Sequence, residues 1–314
     1  MIESVPVIDI ARLDEADTLG AIDRACREWG FFQVVNHGIP GPLCLALVDA
    51  MHAFFAAPAP VRARIRRTRE NPWGYYDSEL TKNVRDWKEV FDYGPGDGGQ
   101  LEPRWPDGLP GFRTAVERYS DACESLAFRL LGALAANLGA DAAELARAFA
   151  PAHTSFLRLN HYPVCPVPAA PAGLTTTTAG HVGVNYHTDA GVLTLLLQDG
   201  QPGLEVYRDG CWYPIDPLAG ALVVNIGDIV QVWSNDMYRA AMHRALVNPV
   251  HARYSAPYFF NPDYRSNYAP LPSMTGPGRS PRYRPINWGE FRRRRADGDY
   301  ADFGAEIQLS DFAT

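Results

Sequence analysis

The chain has 314 residues, of which 46% are hydrophobic and 21% charged, with a formal net charge of −7. That composition belongs to a globular protein able to bury a sizeable core, within reach of one large β-rich domain with helical additions. The acidic balance argues against a nucleic-acid partner. No apolar run approaches the roughly eighteen residues that a membrane span requires.

Five scattered cysteines, Cys26, Cys44, Cys123, Cys165 and Cys211, form no CxxC pair. Neither a disulfide framework nor a cysteine–zinc site is expected, and a reducing, cytoplasmic compartment is. Glu3, Asp9 and Asp14 interrupt any basic-then-apolar leader.

In chain order, Val5 to Ile10 reads as a short strand. A helix is predicted from about Thr18 to Trp29, with Ile22, Ala25, Cys26 and Trp29 at helical spacing. Phe31 to Val35 is β-branched and aromatic and ends at the turn Asn36-His37-Gly38; a second helix runs from about Pro42 to Ala56. Segment 66–108, rich in aromatics, glycine and proline, reads as irregular, with one or two short strands near 84–93. Between Pro110 and Leu138, residues Phe112, Val116, Tyr119, Cys123, Leu126 and Leu130 mark one buried helical face, and Gly139 supplies the stop.

From about Ser155 the pattern turns to strands: 157–162, 192–197, 204–207 and 211–213 joined by an Asp209-Gly210 turn, 221–226, 245–248 and 253–260. Many short strands at close intervals indicate a mostly β fold with flanking helices, a jelly roll foremost. The chain divides into a helix-rich region, 1–150, packing on a catalytic β region, 151–314. Thr175 to Thr178 reads as a loop. The basic run Arg292 to Arg295, beside Glu290, Asp297 and Asp299, reads as a solvated helix face.

Chemistry concentrates in His187-Thr188-Asp189 and His243. On a strand, residues i and i+2 face the same way, so His187 and Asp189 project toward one point. Two imidazoles and a carboxylate leave the opposite face of a metal open, as non-haem Fe(II) requires; by itself the triad also fits zinc or no metal. Ten residues after His243, Arg253-Tyr254-Ser255 offers a planar fork of donors and a hydroxyl on one face, a seat for a carboxylate. Asn160 and Tyr162 share a face by the same alternation and add hydrogen bonds from another side.

These motifs resemble the plant-type and isopenicillin-N-synthase-like Fe(II)/2-oxoglutarate-dependent dioxygenases. The matching text includes Leu159-Asn160-His161-Tyr162-Pro163, His187-Thr188-Asp189-Ala190-Gly191, Pro202-Gly203-Leu204-Glu205, Val224-Asn225-Ile226-Gly227-Asp228, His243-Arg244, Arg253-Tyr254-Ser255 and Phe259-Phe260-Asn261-Pro262. Toward the N-terminus, Val5-Pro6-Val7-Ile8-Asp9 and Gly30-Phe31-Phe32 agree as well. The resemblance implies a double-stranded β-helix with Fe(II) on His187, Asp189 and His243. It also implies 2-oxoglutarate on Arg253 and Ser255, with Asn160 and Tyr162 completing the pocket. O2 is then the further co-substrate, and oxidation of a small organic metabolite is the reaction. Tyr186 departs from the small residue or proline that plant members often carry there.

For the substrate side, Trp73, Tyr75, Phe91 and Phe259 are candidate lining residues, whereas Lys82, Arg85 and Lys88 read as solvated charges. Three alternatives stay open: an iron oxidase of the same fold that does not use 2-oxoglutarate, more remotely a His2Asp zinc hydrolase, and last a catalytically silent binding protein on the same fold, against which the intact ligand set argues.

Overall fold

Alternating and β-branched runs set most of the strands. The structure, a computed structural model, describes residues 4–96, 101–177, 179–297 and 307–314. Glu3, Thr178 and Asp299 lie outside the described residues. The first half runs β1 (Val7–Asp9), α1 (Ala16–Glu28), β2 (Phe31–Val35), α2 (Gly41–Ala56), α3 (Ala59–Ala63), β3 (Gly74–Tyr76), β4 (Leu80–Thr81), β5 (Val84–Arg85), β6 (Glu89–Tyr93), α4 (Phe112–Leu138) and α5 (Ala142–Ala146). The second half begins with β7 (Phe156–Tyr162), β8 (Val184–His187), β9 (Leu193–Gln198), β10 (Leu204–Arg208), β11 (Cys211–Pro214) and β12 (Leu222–Ile226). It continues with α6 (Asp228–Trp233), β13 (His243–Ala245), β14 (Arg253–Phe260), β15 (Asn267–Tyr268), β16 (Ile286–Asn287) and α7 (Trp288–Asp297).

An eight-stranded sheet in the order β1-β2-β12-β9-β14-β7-β6-β3 faces a four-stranded sheet, β11-β10-β13-β8. This is the jelly roll expected from the strand-rich half. The region 1–150 does more than pack on it: β1 and β2 extend one edge through β12, and β6 and β3 extend the other through β7. The buried stripe of α4 covers the outer face of the large sheet together with α1 and α2, and α4 ends where Gly139 takes φ 63°. At the β10–β11 hairpin, Asp209 and Gly210 adopt φ of 48° and 86°, the positive pair that a tight two-residue turn demands.

The structure corrects two of the expectations and adds one helix that the pattern did not show. Segment 66–108 holds four strands: β4 and β5 form a hairpin too short to show a period, and β3 and β6 are fixed by pairing with each other and with β7. Helix α6 is buried nearly all round and therefore shows no amphipathic spacing. The basic run lies on α7, but only Arg293 and Arg294 are exposed; Arg292 and Arg295 are half-buried. Among the described residues no helix is long and apolar enough to cross a membrane.

Between the sheets, one apolar cluster joins Phe31, Leu196 and Val223 to Leu204 and Val206, and another joins Tyr162 to Val184 and Ala245. The polar cavity lies on this inner side. Phe91, by contrast, is wholly buried in the core beneath α2 and α4, its ring against Phe54 and Phe112. Phe91→Ala is accordingly expected to cost about 3–5 kcal/mol of stability, read by urea unfolding. A variant of unchanged stability would contradict this core placement.

Candidate active site

Strand pairing brings the two histidines together. His243 on β13 sits directly opposite His187 on β8, with ring centroids 4.3 Å apart. Asp189 arrives differently from the expected strand alternation, because β8 ends at His187 and the turn after it carries the carboxylate. Backbone holds that turn: the Asp228 N–H donates to the Asp189 carbonyl at 2.8 Å. The close approach needs a glycine, since a Cβ at Gly227 would lie 2.2 Å from the Gly191 carbonyl oxygen and 2.9 Å from that of Asp189. Arg295 of α7 clamps the same turn, donating to the Thr188 carbonyl at 3.0 Å.

Each ligand atom is left facing one point. His187 Nδ1 bonds the Asn185 carbonyl at 2.8 Å and His243 Nδ1 bonds that of Ala241 at 3.1 Å, so both Nε2 lone pairs are freed. Both Nε2 atoms lie 3.7 Å from Asp189 Oδ1. Asp189 Oδ2 is occupied, accepting from the Thr194 hydroxyl and from the Asn225 amide at 2.7 Å. Thr194 and Asn225 face each other across β9 and β12. An ion with bonds of roughly 2.0–2.2 Å spans these separations, since twice that length exceeds them. Among the described residues this is the one group of three His, Cys or acidic side chains placed to hold a metal.

The electrostatics favour a cation at that point. Desolvation, then the neighbouring His243, pull His187 down to about 3, so the imidazole is neutral and ready to ligate. Burial opposes the charge of Asp189, yet His243, His187 and the Thr194 and Asn225 hydrogen bonds outweigh it and hold the carboxyl below its ordinary value. Because Thr194 and Asn225 aim the carboxylate, the double variant Thr194→Val/Asn225→Ala is expected to weaken metal binding about 10–100-fold with the fold intact. Anaerobic Fe(II) titration with circular dichroism as the control checks it, and unchanged affinity would contradict it.

Beside the triad, two antiparallel strands form a polar patch: Arg253 faces Tyr162 and Ser255 faces Asn160 across β14 and β7. All four are at most 4% exposed. Arg253 donates only to neutral groups, the Gln198 side chain at 2.9 Å and the Gln201 carbonyl at 3.3 Å, and it lies over the Tyr162 ring. Asn160 donates to Ser255 at 3.3 Å, while its own carbonyl oxygen has no partner. A buried guanidinium without a carboxylate is costly unless an anion comes from outside. The seven metal-side and seat residues all line one cavity, together with Phe259.

The other substrate-side candidates separate. Trp73 lines an outer cavity of about 700 Å³. Tyr75 sits in the core and donates its hydroxyl to Glu89, and neither it nor Phe91 reaches the metal-side cavity. Lys82 and Arg85 stay peripheral, Lys82 over the Tyr186 ring and Arg85 bonded to the Asp77 carbonyl. Lys88 is not solvated: it is buried, with Glu79 at 2.9 Å and Asp86 at 3.2 Å, and it lines the cavity. Arg158 joins it, bonded to Glu79 and Asp92. Phe156, Arg158, Asn160 and Tyr162 follow one alternation on β7, which would have identified the first two.

The 2OG-Fe(II) oxygenase superfamily model matches residues 153–262, and the model of the non-haem dioxygenase N-terminal region in morphine synthesis matches 5–108. Gibberellin 3-beta-dioxygenase 1 of Arabidopsis thaliana is 31% identical over 301 residues, covering 94% of this chain and 80% of its own. The chain belongs to the 2OG-Fe(II) oxygenase superfamily. Feruloyl CoA ortho-hydroxylase 1 of the same plant is 34% identical to this oxygenase, covering 95% of this chain and 83% of its own. The crystal structure of JOX2 in complex with 2OG, Fe and JA superposes with a TM-score of 0.86 at 28% identity, covering 100% of the oxygenase and 90% of JOX2. The rice dioxygenase for auxin oxidation gives 0.74 at 27% identity, covering 99% of the oxygenase and 100% of the rice chain.

Proposed function

We propose that His187, Asp189 and His243 hold Fe(II), that Arg253, Ser255, Asn160 and Tyr162 seat 2-oxoglutarate, and that a small organic metabolite is oxidised beside them. The observation that carries this reading is Arg253, a buried cation with no carboxylate partner among the described residues, opening on the same cavity as the triad. When bound, Fe(II) supplies the reaction with O2 that couples decarboxylation of 2-oxoglutarate to succinate and CO2 with oxidation of the substrate, hydroxylation by default.

The residues have separate tasks. Arg253 and Ser255 hold the distal carboxylate, and Asn160 and Tyr162 fix its orientation. Thr194 and Asn225 keep Asp189 turned toward the metal. Leu196, Leu204 and Phe31 wall the cavity and exclude water from it. Region 151–314 is read as the catalytic part, since every ligand and seat residue falls in it, and 1–150 as the part framing the substrate side. The free cysteines accord with a reducing, cytoplasmic compartment.

The test follows O2 uptake and succinate formation together. Uptake requiring both Fe(II) and 2-oxoglutarate, with succinate formed in parallel, is the expected result. Uptake without succinate would move the chain to the oxidase alternative, and turnover on zinc without O2 to the hydrolase.

A further inference from the structure

Beyond the metal, the cavity opens into a chamber bounded by Phe259, Phe156, Arg158, Arg292 and Arg295, and that chamber adjoins the outer cavity. Phe156, Arg158 and Arg292 line both, so they form the junction. Three rings mark the path: Trp73 lies 6.0 Å from Phe156, which stacks on Phe259 at 4.7 Å. Phe259 also lines the metal-side cavity, so the ladder runs from the outside to the reaction centre.

The cations along this path differ in what they are free to do. Arg158 is committed to Glu79 and Asp92, and Lys88 to Glu79 and Asp86. Arg67, farther out, is committed to Glu79 and Asp92. Arg295 is used in clamping the Thr188 turn, with Asp228 at 3.5 Å. Arg292 alone of these has no carboxylate or hydrogen-bond partner among the described residues; its guanidinium lies 5.9 Å from the Phe156 ring. In the outer cavity the indole N–H of Trp73 is likewise buried without an acceptor. An aromatic floor beside an uncommitted guanidinium fits a ligand with a flat apolar body and an anionic end.

We propose that the substrate is a small carboxylic acid, its carboxylate held by Arg292 and its apolar body laid along Phe156 and Phe259 toward the metal. This rests on the functional reading above and names the substrate class for that site. Arg292 is then a specificity-determining residue. It selects the charged end, while the rings set how far the reacting carbon reaches. The distinction from 2-oxoglutarate is spatial, since Arg253 lines the metal-side cavity and not the chamber, whereas Arg292 lines the chamber and not that cavity.

The probes are three acids, phenylacetate, 3-phenylpropionate and 4-phenylbutyrate, each with its neutral amide. Binding is measured by calorimetry on the full chain loaded with Mn(II) and 2-oxoglutarate. Loading is verified first by 2-oxoglutarate titration, so failure of the co-substrate seat is seen separately. At least one acid is expected to bind about tenfold or more tightly than its amide, the worth of one charge-assisted hydrogen-bonded pair. Arg292→Gln removes that preference while leaving amide binding unchanged, and Arg292→Lys restores part of it. Equal binding of every acid and amide, no binding by any probe, or a preference that survives Arg292→Gln overturns the proposal. So does an acid that competes with 2-oxoglutarate, because it then occupies the Arg253 seat.

Discussion

Replacing His243 with alanine is expected to abolish O2-dependent turnover, with a loss well beyond the roughly 10–100-fold typical of removing an outer partner of a metal ligand. The reason is geometric. His187 ends β8 and Asp189 follows on the next turn, so the two hold only one side of the proposed ion, whereas His243 is the strand neighbour that closes the set across β13 and β8. Among the described residues, no other group of His, Cys or acidic side chains is placed to hold a metal, so nothing stands ready to replace the lost Nε2. The variant should still fold, because the ring packs edge-on to Phe31 at the cavity wall and little of the apolar core depends on it. Rates of succinate formation, with thermal unfolding as the control, check this. Retention of more than about a hundredth of the wild-type rate would contradict it.

The second large effect concerns Arg253. Arg253→Met would remove the side chain proposed to pair with the co-substrate carboxylate. The KM for 2-oxoglutarate is expected to rise about 100-fold or more, within the 2–5 kcal/mol typical of such truncations. The free protein should at the same time become no less stable. Without an anion, Arg253 is a buried cation held only by the neutral Gln198, a carbonyl and the Tyr162 ring, and methionine removes that desolvation cost. A lower affinity together with an equal or higher melting temperature in the absence of co-substrate is the combined signature. An unchanged KM, or a strongly destabilised protein, would show that Arg253 serves the fold instead.

Much of this architecture is readable from alternation alone. The i, i+2 spacing pairs Arg253 with Ser255 and Asn160 with Tyr162, and β14 and β7 set the two pairs side by side. What single strands do not reveal is which distant strand lies opposite. Thr194 and Asn225 therefore escape a sequence reading, although both sit on the cavity side of their strands and meet at one cross-strand position. The expectation for Asp189 reaches the right place by a different route, since a turn pinned by Asp228 carries it. Aromatic content misleads most in segment 66–108: Tyr75 and Phe91 serve the core, because large apolar side chains bury wherever space allows. Lys88 reads as a surface charge, but Glu79 and Asp86, which neutralise it, come from the same segment and fold beneath the chamber. Charge pairing of that kind depends on three-dimensional closure, which local pattern does not encode. The same holds for Arg292 and Arg295, two of four consecutive arginines that the docking of α7 turns inward.

On the proposed reading, one cavity holds Fe(II) and 2-oxoglutarate together. Anaerobic titration of the purified chain, following the weak visible charge-transfer absorption of the iron–keto-acid pair, tests it most directly. The expected band requires both Fe(II) and 2-oxoglutarate, saturates at one equivalent of each, disappears in His243→Ala and needs far more 2-oxoglutarate in Arg253→Met. No band with the wild-type chain, or the same band in His243→Ala, would contradict it.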